Sequence, residues 1–149
     1  MPSLTDVRTA VCSLLSTALT DALRVEALVG DVDMSSLAKK NVPYGKGLVF
    51  VAIGEAVNVG RDNLDFDMAA AFAVFTIARN ATRITESEDC ALLLAQRAAL
   101  AIHGGVFGLA GVSPARVTGI APVEDEGDTL EKLGMRVWCV TFEQRIVFI

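Results

Sequence analysis

Leu64-Asp65-Phe66-Asp67-Met68-Ala69-Ala70-Ala71-Phe72-Ala73-Val74-Phe75-Thr76-Ile77-Ala78 is the stretch whose reading decides the fold. Successive side chains of a strand point to opposite faces, so a period of two marks one. Here Leu64, Phe66, Met68, Phe72 and Val74 fall on one face, while Asp65 and Asp67 open the other. Beyond Ala69 the second face turns apolar as well, through Ala71, Ala73, Phe75 and Ile77. A sheet built around this strand is therefore covered on one side at its first end and on both sides at its second.

Moving upstream, Gly60-Arg61-Asp62-Asn63 reads as a turn and Gly47 to Val59 as a strand with Val49, Val51 and Ile53 on one face. Gly30 to Gly45 is a polar stretch too long for a tight connection, and long loops in compact domains are commonly functional or mobile. Leu23, Val25, Ala27 and Val29 alternate with Arg24 and Glu26, which predicts a half-buried strand. Before it, Leu4, Val7, Val11, Leu14, Leu15, Ala18 and Ala22 recur at three- and four-residue spacing, the mark of an amphipathic helix over 4–21. Ser3 can cap that helix, with Asp6 near its positive end.

Downstream, Thr85-Glu86-Ser87-Glu88 has the form of a capping box and predicts a helix over 86–103, stopped by Gly104-Gly105. Its buried stripe is Ala91, Leu94, Ala95, Ala98 and Ile102, while Leu92 and Leu93 point elsewhere. A helix apolar on more than one face suits one that also meets a neighbour. Two strands close the chain, Arg116 to Val123 and Met135 to Ile149, around an acidic hairpin loop at Glu124-Asp125-Glu126-Gly127-Asp128. The order α-β-β-β-α-β-β predicts an α+β domain spanning 1–149, a mainly antiparallel sheet with two helices packed on it.

Composition points to assembly. At 149 residues the chain is one domain that buries about two-thirds of its unfolded surface. Hydrophobic residues make up 52% and charged residues 21%, with a mean hydropathy of +0.48. That much apolar surface exceeds what a small interior hides, which argues for a homo-oligomer. Thirteen basic and 18 acidic side chains leave a net charge of −5, and Lys39-Lys40 is the only basic doublet. Nucleic-acid binders cluster Lys and Arg against phosphates, so specific nucleic-acid binding is not expected.

The uncharged run Ala98 to Ala115 contains Gly104, Gly105, Gly108, Gly111 and Pro114, which break a continuous span, so no membrane helix is expected. The opening Met-Pro-Ser-Leu-Thr-Asp reads as a helix start and not as a secretory leader. Cys12, Cys90 and Cys139 are widely spaced and suit reduced, buried thiols.

Groups that could carry chemistry do not converge. His103 is the single histidine and lacks the partners a zinc site needs. Asp65 and Asp67 share a strand face and could hold a divalent cation, but a solvated sheet edge accounts for them. Asp31-x-Asp33 would begin a calcium loop, yet Ser36 and Val42 stand where its Gly and Glu belong. Gly45-Lys46-Gly47 and the glycines 104–108 miss the spacing of phosphate-binding loops. No nucleophile–base pair, metal set or cofactor cradle emerges, so neither an enzyme nor a cofactor is expected.

The layout resembles the Mu-like phage tail terminator, or tail completion, family. The residues that carry the likeness are the helix end Ala22-Leu23-Arg24-Val25-Glu26-Ala27 and the long loop to Gly47-Leu48-Val49-Phe50-Val51. Next come the strand from Phe66-Asp67-Met68 to Phe75-Thr76-Ile77-Ala78-Arg79 and the helix from Ala91-Leu92-Leu93-Leu94 to Ala98-Ala99-Leu100. The last is the closing strand Val137-Trp138-Cys139-Val140-Thr141-Phe142.

The resemblance implies a virion protein of the tail or neck, assembled in the host cytoplasm. It would form a hexameric ring on the head-proximal end of the tail tube. Its partners would be the tail tube protein and a neck or connector protein, with DNA passing through the lumen without specific binding. Candidate subunit or tube contacts are Lys39, Lys40 and Tyr44 in the loop 31–46, Leu93 and Arg97 on the second helix, and Glu124, Asp125 and Glu126 in the acidic loop. Two alternatives stand beside this reading: another head-tail connector or minor tail protein, and a small-ligand-binding regulatory domain.

Overall fold

A computed structural model describes residues 2–29, 46–60, 66–79, 89–123 and 134–148. The elements are α1 (Leu4–Ala18), β1 (Ala22–Leu28), β2 (Gly47–Asn58), β3 (Phe66–Arg79), α2 (Cys90–Ile102), β4 (Arg116–Pro122) and β5 (Met135–Phe148). The strands form one sheet in the order β1-β2-β3-β5-β4. The order of elements and the two helices on a mostly antiparallel sheet are those the sequence predicts.

β3 lies at the centre, antiparallel to β2 and β5 along nearly its whole length. Its alternation divides the core in two. Phe72 and Val74 face the helices, together with Val49 and Val51 of β2, Val140, Phe142 and Ile146 of β5, and Val7, Val11 and Leu15 of α1. Phe75 and Ile77 face the other way and join Leu48, Phe50, Met135 and Val137 in a second buried cluster. That second cluster occupies only one end of the sheet. Towards the other end the same face carries the ion pairs Arg145–Asp67, at 2.6 Å, and Arg116–Glu143, at 3.4 Å. The face therefore changes from polar to apolar along β3, as the Asp-to-Phe switch in its sequence requires.

One strand pairing departs from the antiparallel pattern. β1 runs parallel to β2, with Val25 opposite Val49 and Ala27 opposite Val51. Parallel neighbours cannot be joined by a tight turn and need a crossover of about a dozen residues or more. The polar stretch between β1 and β2 has the length that such a crossover needs. A register shift between Ala22 and Arg24 also corrects the expected facing of β1. Ala22 and Val25, not Leu23 and Val25, point to the helix-covered core, and Leu23 is left 42% exposed. A bulge adds one residue to the strand and so moves the alternation by one.

α1 begins as its sequence indicates. The Asp6 amide donates to Ser3 Oγ at 3.1 Å and the Ser3 amide donates to an Asp6 carboxylate oxygen at 2.8 Å, a reciprocal capping box. These bonds hold the Asp6 carboxyl below its ordinary value of 3.8. Because the folded value is the lower one, the stabilisation is complete above the unfolded value and is lost as pH falls through the folded one. Ser3→Ala should destabilise the fold by about 1 kcal/mol at neutral pH, measured by urea denaturation. The helix ends at Ala18, earlier than the predicted residue 21, because the chain must turn at Leu19 to enter β1 at Ala22.

The start of α2 also corrects an expectation. Asp89 has extended backbone angles and is the N-cap, so the helix begins at Cys90 and not at Glu86. The capping box at Thr85 to Glu88 lies outside the described residues, as do the turn residues 61–63, Asp31, Asp33 and Asp65.

The uncharged run from Ala98 to Ala115 is a helix end followed by a tied loop, as read from its glycines. Gly104, directly after the C-cap His103, adopts positive φ, which ends the helix. The Gly104 amide donates to the Ala115 carbonyl at 2.7 Å and the Ala115 amide to the Gly105 carbonyl at 2.9 Å. Buried Gln144 of β5 donates through Nε2 to the carbonyls of Ser113 at 2.8 Å and Gly105 at 3.3 Å. No described helix is long and apolar enough to cross a membrane.

Candidate functional site

Which face of α2 meets solvent is decided at its two attachments to the sheet. At its start, one Asp89 carboxylate oxygen accepts from the Ala91 and Leu92 amides, at 3.1 and 3.2 Å. The other accepts from Trp138 Nε1 of β5 at 3.0 Å and lies 3.8 Å from the Arg136 guanidinium. In the same first turn, buried Thr76 of β3 donates through its hydroxyl to the Ala91 carbonyl at 2.7 Å. The stripe read from spacing, Ala91, Leu94, Ala95, Ala98 and Ile102, is buried in full.

The opposite side carries the exposed apolar residues of the helix. Leu93 is 37% exposed and Leu100 is 82% exposed. Seven residues make nearly two helical turns, so these leucines stand on one face about 10 Å apart, with Arg97 between them. Together they leave apolar side chain uncovered on this face. Leu100 is an exposed residue of this face that sequence reasoning did not single out. Its signal was present in the seven-residue spacing from Leu93.

Beside Leu93 lies an open cleft of about 360 Å³ lined by Thr20, Asp21, Ala22, Lys46, Gly47, Cys90, Leu93, Leu94 and Arg97. It forms where the end of α1 turns into β1 and the start of β2 passes under α2. Gly47 permits that approach, since a Cβ there would collide with Leu94 Cδ1. Across its rim Arg97 pairs with Asp21, 76 residues away in sequence. Lys46 is exposed and makes no ion pair or hydrogen bond among the described residues. The cleft thus holds two cations against one anion, on a chain whose net charge is −5.

Of the sequence-predicted contacts, Leu93 and Arg97 are brought together on this surface. Lys39, Lys40, Tyr44, Glu124, Asp125 and Glu126 lie outside the described residues. Asp67 is held across the sheet by Arg145.

His103 caps the end of α2, and its Nδ1 accepts from the Val117 amide at 3.1 Å. This bond ties β4 to the helix end. Burial pushes the Cys12 and Cys139 thiols up, which weakens them as nucleophiles. Among the described residues no group of three or more His, Cys, Asp or Glu is placed to hold a metal ion.

Comparison with known proteins gives a likeness of fold. No family model and no curated protein matches the chain. Among solved structures, it is similar to a chain of the virion of a native gene transfer agent particle. The TM-score is 0.50 at 16% sequence identity, covering 93% of this chain and 84% of that one.

Proposed function

We propose that the chain is a structural virion protein, a tail terminator whose copies close into a six-membered ring. The ring caps the head-proximal end of the tail tube and joins it to the neck. DNA passes through its lumen without specific binding, and the reading assigns the chain no catalysed reaction. The observation that carries it is the fold likeness to a virion chain along 93% of this sequence. The outer face of α2 supports the assembly half of the reading, because Leu93 and Leu100 offer apolar surface that the monomer leaves uncovered.

The mechanism is geometric. A head-to-tail contact uses two different patches of each copy, and it closes only when the rotation between copies returns to its start. A ring that matches the tube on one side and offers no matching surface on the other stops further addition. The sheet edges suit such a particle, since an open edge strand invites uncontrolled pairing. β1 and β4 each carry a register shift, β1 bears the pair Arg24–Glu26 at 3.3 Å, and β4 ends in Pro122. These devices leave side-chain surfaces as the means of association.

Electron microscopy of the chain mixed with its tail tube protein tests the reading. Sixfold rings seated at one end of each tube support it. Rings that ignore the tubes, or tubes that lengthen unchecked, contradict it. Substitution gives a second prediction: Leu100→Asp, and with it Leu93→Asp, should abolish assembly in sedimentation velocity. The thermal unfolding of the monomer should move by no more than about 0.5 kcal/mol, because neither side chain is part of the core. Loss of the unfolding transition would show instead that these leucines hold the fold.

A further inference from the structure

Among the described residues, Lys46 and Glu55 are the charged side chains that make no ion pair or hydrogen bond. The others are engaged, as Arg24 is with Glu26, Arg97 with Asp21, Arg116 with Glu143 and Arg145 with Asp67. The two bare charges are opposite in sign, and both side chains are exposed. Lys46 directly precedes β2 and Glu55 lies towards its far end. At the rise of a strand they stand roughly 30 Å apart. That separation far exceeds the Debye length of about 8 Å at physiological salt, so neither answers the other within one copy.

The two ends differ in build. Lys46 lines the cleft beside Leu93, where β2 passes under α2. At the other end β2 is an edge: β1 accompanies it only from Gly47 to Ala52, and no described strand lies on that side beyond. A bulge there sets Gly54 and Glu55 together against Ala71, between the pairs Ile53–Phe72 and Ala56–Ala70. A bulge bearing a carboxylate disrupts backbone pairing at an edge, so a neighbour meets this end through side chains. Val57 and Val59 follow Glu55, 50% and 40% exposed. Edge protection accounts for a charge at Glu55 but leaves the bare cation at the opposite end without a purpose.

We propose that the cleft of Lys46 and Leu93 in one copy receives Glu55, with Val57 and Val59, of the next copy in the ring. The proposal rests on the ring reading above. A head-to-tail contact needs two different patches on each copy, and the ends of β2 supply them. Each patch carries one unanswered charge of one sign, so like ends repel and unlike ends attract. In a chain of net charge −5 such a contact favours one orientation among many that repel.

The test mixes two full-length chains with single reversals, read by sedimentation velocity at low and physiological salt. Lys46→Glu and Glu55→Lys should each weaken association about tenfold when alone, because every contact then sets like charges together. Mixed in equal amounts, they should assemble to within about threefold of the parent and to the same mass. An alternating ring sets the introduced glutamate against the introduced lysine, and native Lys46 against native Glu55. Lys46→Gln and Glu55→Gln remove a charge without adding one, and each should weaken association about threefold with a shallower salt dependence. All four variants should keep the thermal unfolding of the parent, since both side chains are exposed. A mixture that assembles no better than either reversal alone, or association that no substitution at these positions changes, overturns this contact and leaves the ring standing. A parent chain that never associates overturns the ring and this contact together.

Discussion

Phe142→Ala should lower the stability of the fold by about 4 kcal/mol, the largest loss expected from any single substitution described for this chain. Phe142 is fully buried on the helix-facing side of β5. Its ring stacks on Phe72 of β3, with centroids 5.1 Å apart and planes inclined by 12°. Phe107 meets it edge-on at 6.4 Å and 69°. Truncation therefore removes the transfer energy of one aromatic ring and leaves a void beside two others. A domain of this size has roughly 5–15 kcal/mol to lose, so the variant should be close to unfolded at physiological temperature. Phe142→Leu keeps most of the volume and should lose no more than about 1.5 kcal/mol. The check is the urea midpoint of each variant at unchanged slope. An alanine variant within 1 kcal/mol of the parent, to order of magnitude, would mean that the two helices do not rest on this part of the sheet.

Asp89→Ala should destabilise by about 3 kcal/mol, through a different physical cause. Asp89 is 1% exposed, yet its carboxylate is answered on every side: the Ala91 and Leu92 amides, the Trp138 indole N–H and the nearby Arg136 guanidinium. Alanine leaves the helix amides and the indole N–H buried without an acceptor. Asp89→Asn separates the contributions. An amide oxygen can still cap α2, but the amide NH2 would then confront the Trp138 N–H, donor against donor. Half the loss, about 1.5 kcal/mol, is expected for asparagine and about 1 kcal/mol for Trp138→Phe. If Asp89→Asn matches the parent, the indole bond contributes nothing and the capping bonds alone hold the helix start.

These two residues also mark how far the sequence could be read. The period-two pattern of β3 and the stripe Ala91, Leu94, Ala95, Ala98 and Ile102 are local signals backed by burial. Both appear in the structure as their spacing indicates. So does the Ser3–Asp6 capping box, whose partners are three residues apart. The start of α2 was less accessible. Asp89 is the cap of this helix in the company of Trp138, 49 residues downstream, a partner that local spacing does not reveal. Likewise, the parallel pairing of β1 with β2 is a long-range event that alternation cannot signal. The bulge after Ala22 then put Ala22 in the core-facing place expected of Leu23, while Val25 kept its own.

The site divides along the same line. Leu93 and Arg97 could be selected from helical spacing, because the buried stripe of α2 defines its opposite. Leu100 follows from the same geometry and is more exposed than Leu93. The pairing of Arg97 with Asp21 and the neighbourhood of Lys46 could not be read, since the end of α1, the start of β2 and the middle of α2 meet only in three dimensions.

The most direct test of the account is the mass of the purified chain in solution, measured by native mass spectrometry and by sedimentation over a range of concentrations. The account predicts a closed particle of six copies of a 15.8 kDa chain, roughly 95 kDa, with Leu100→Asp reverting to single chains. A wild-type chain that remains a single copy at every concentration, alone and in the presence of the tube protein, would contradict it.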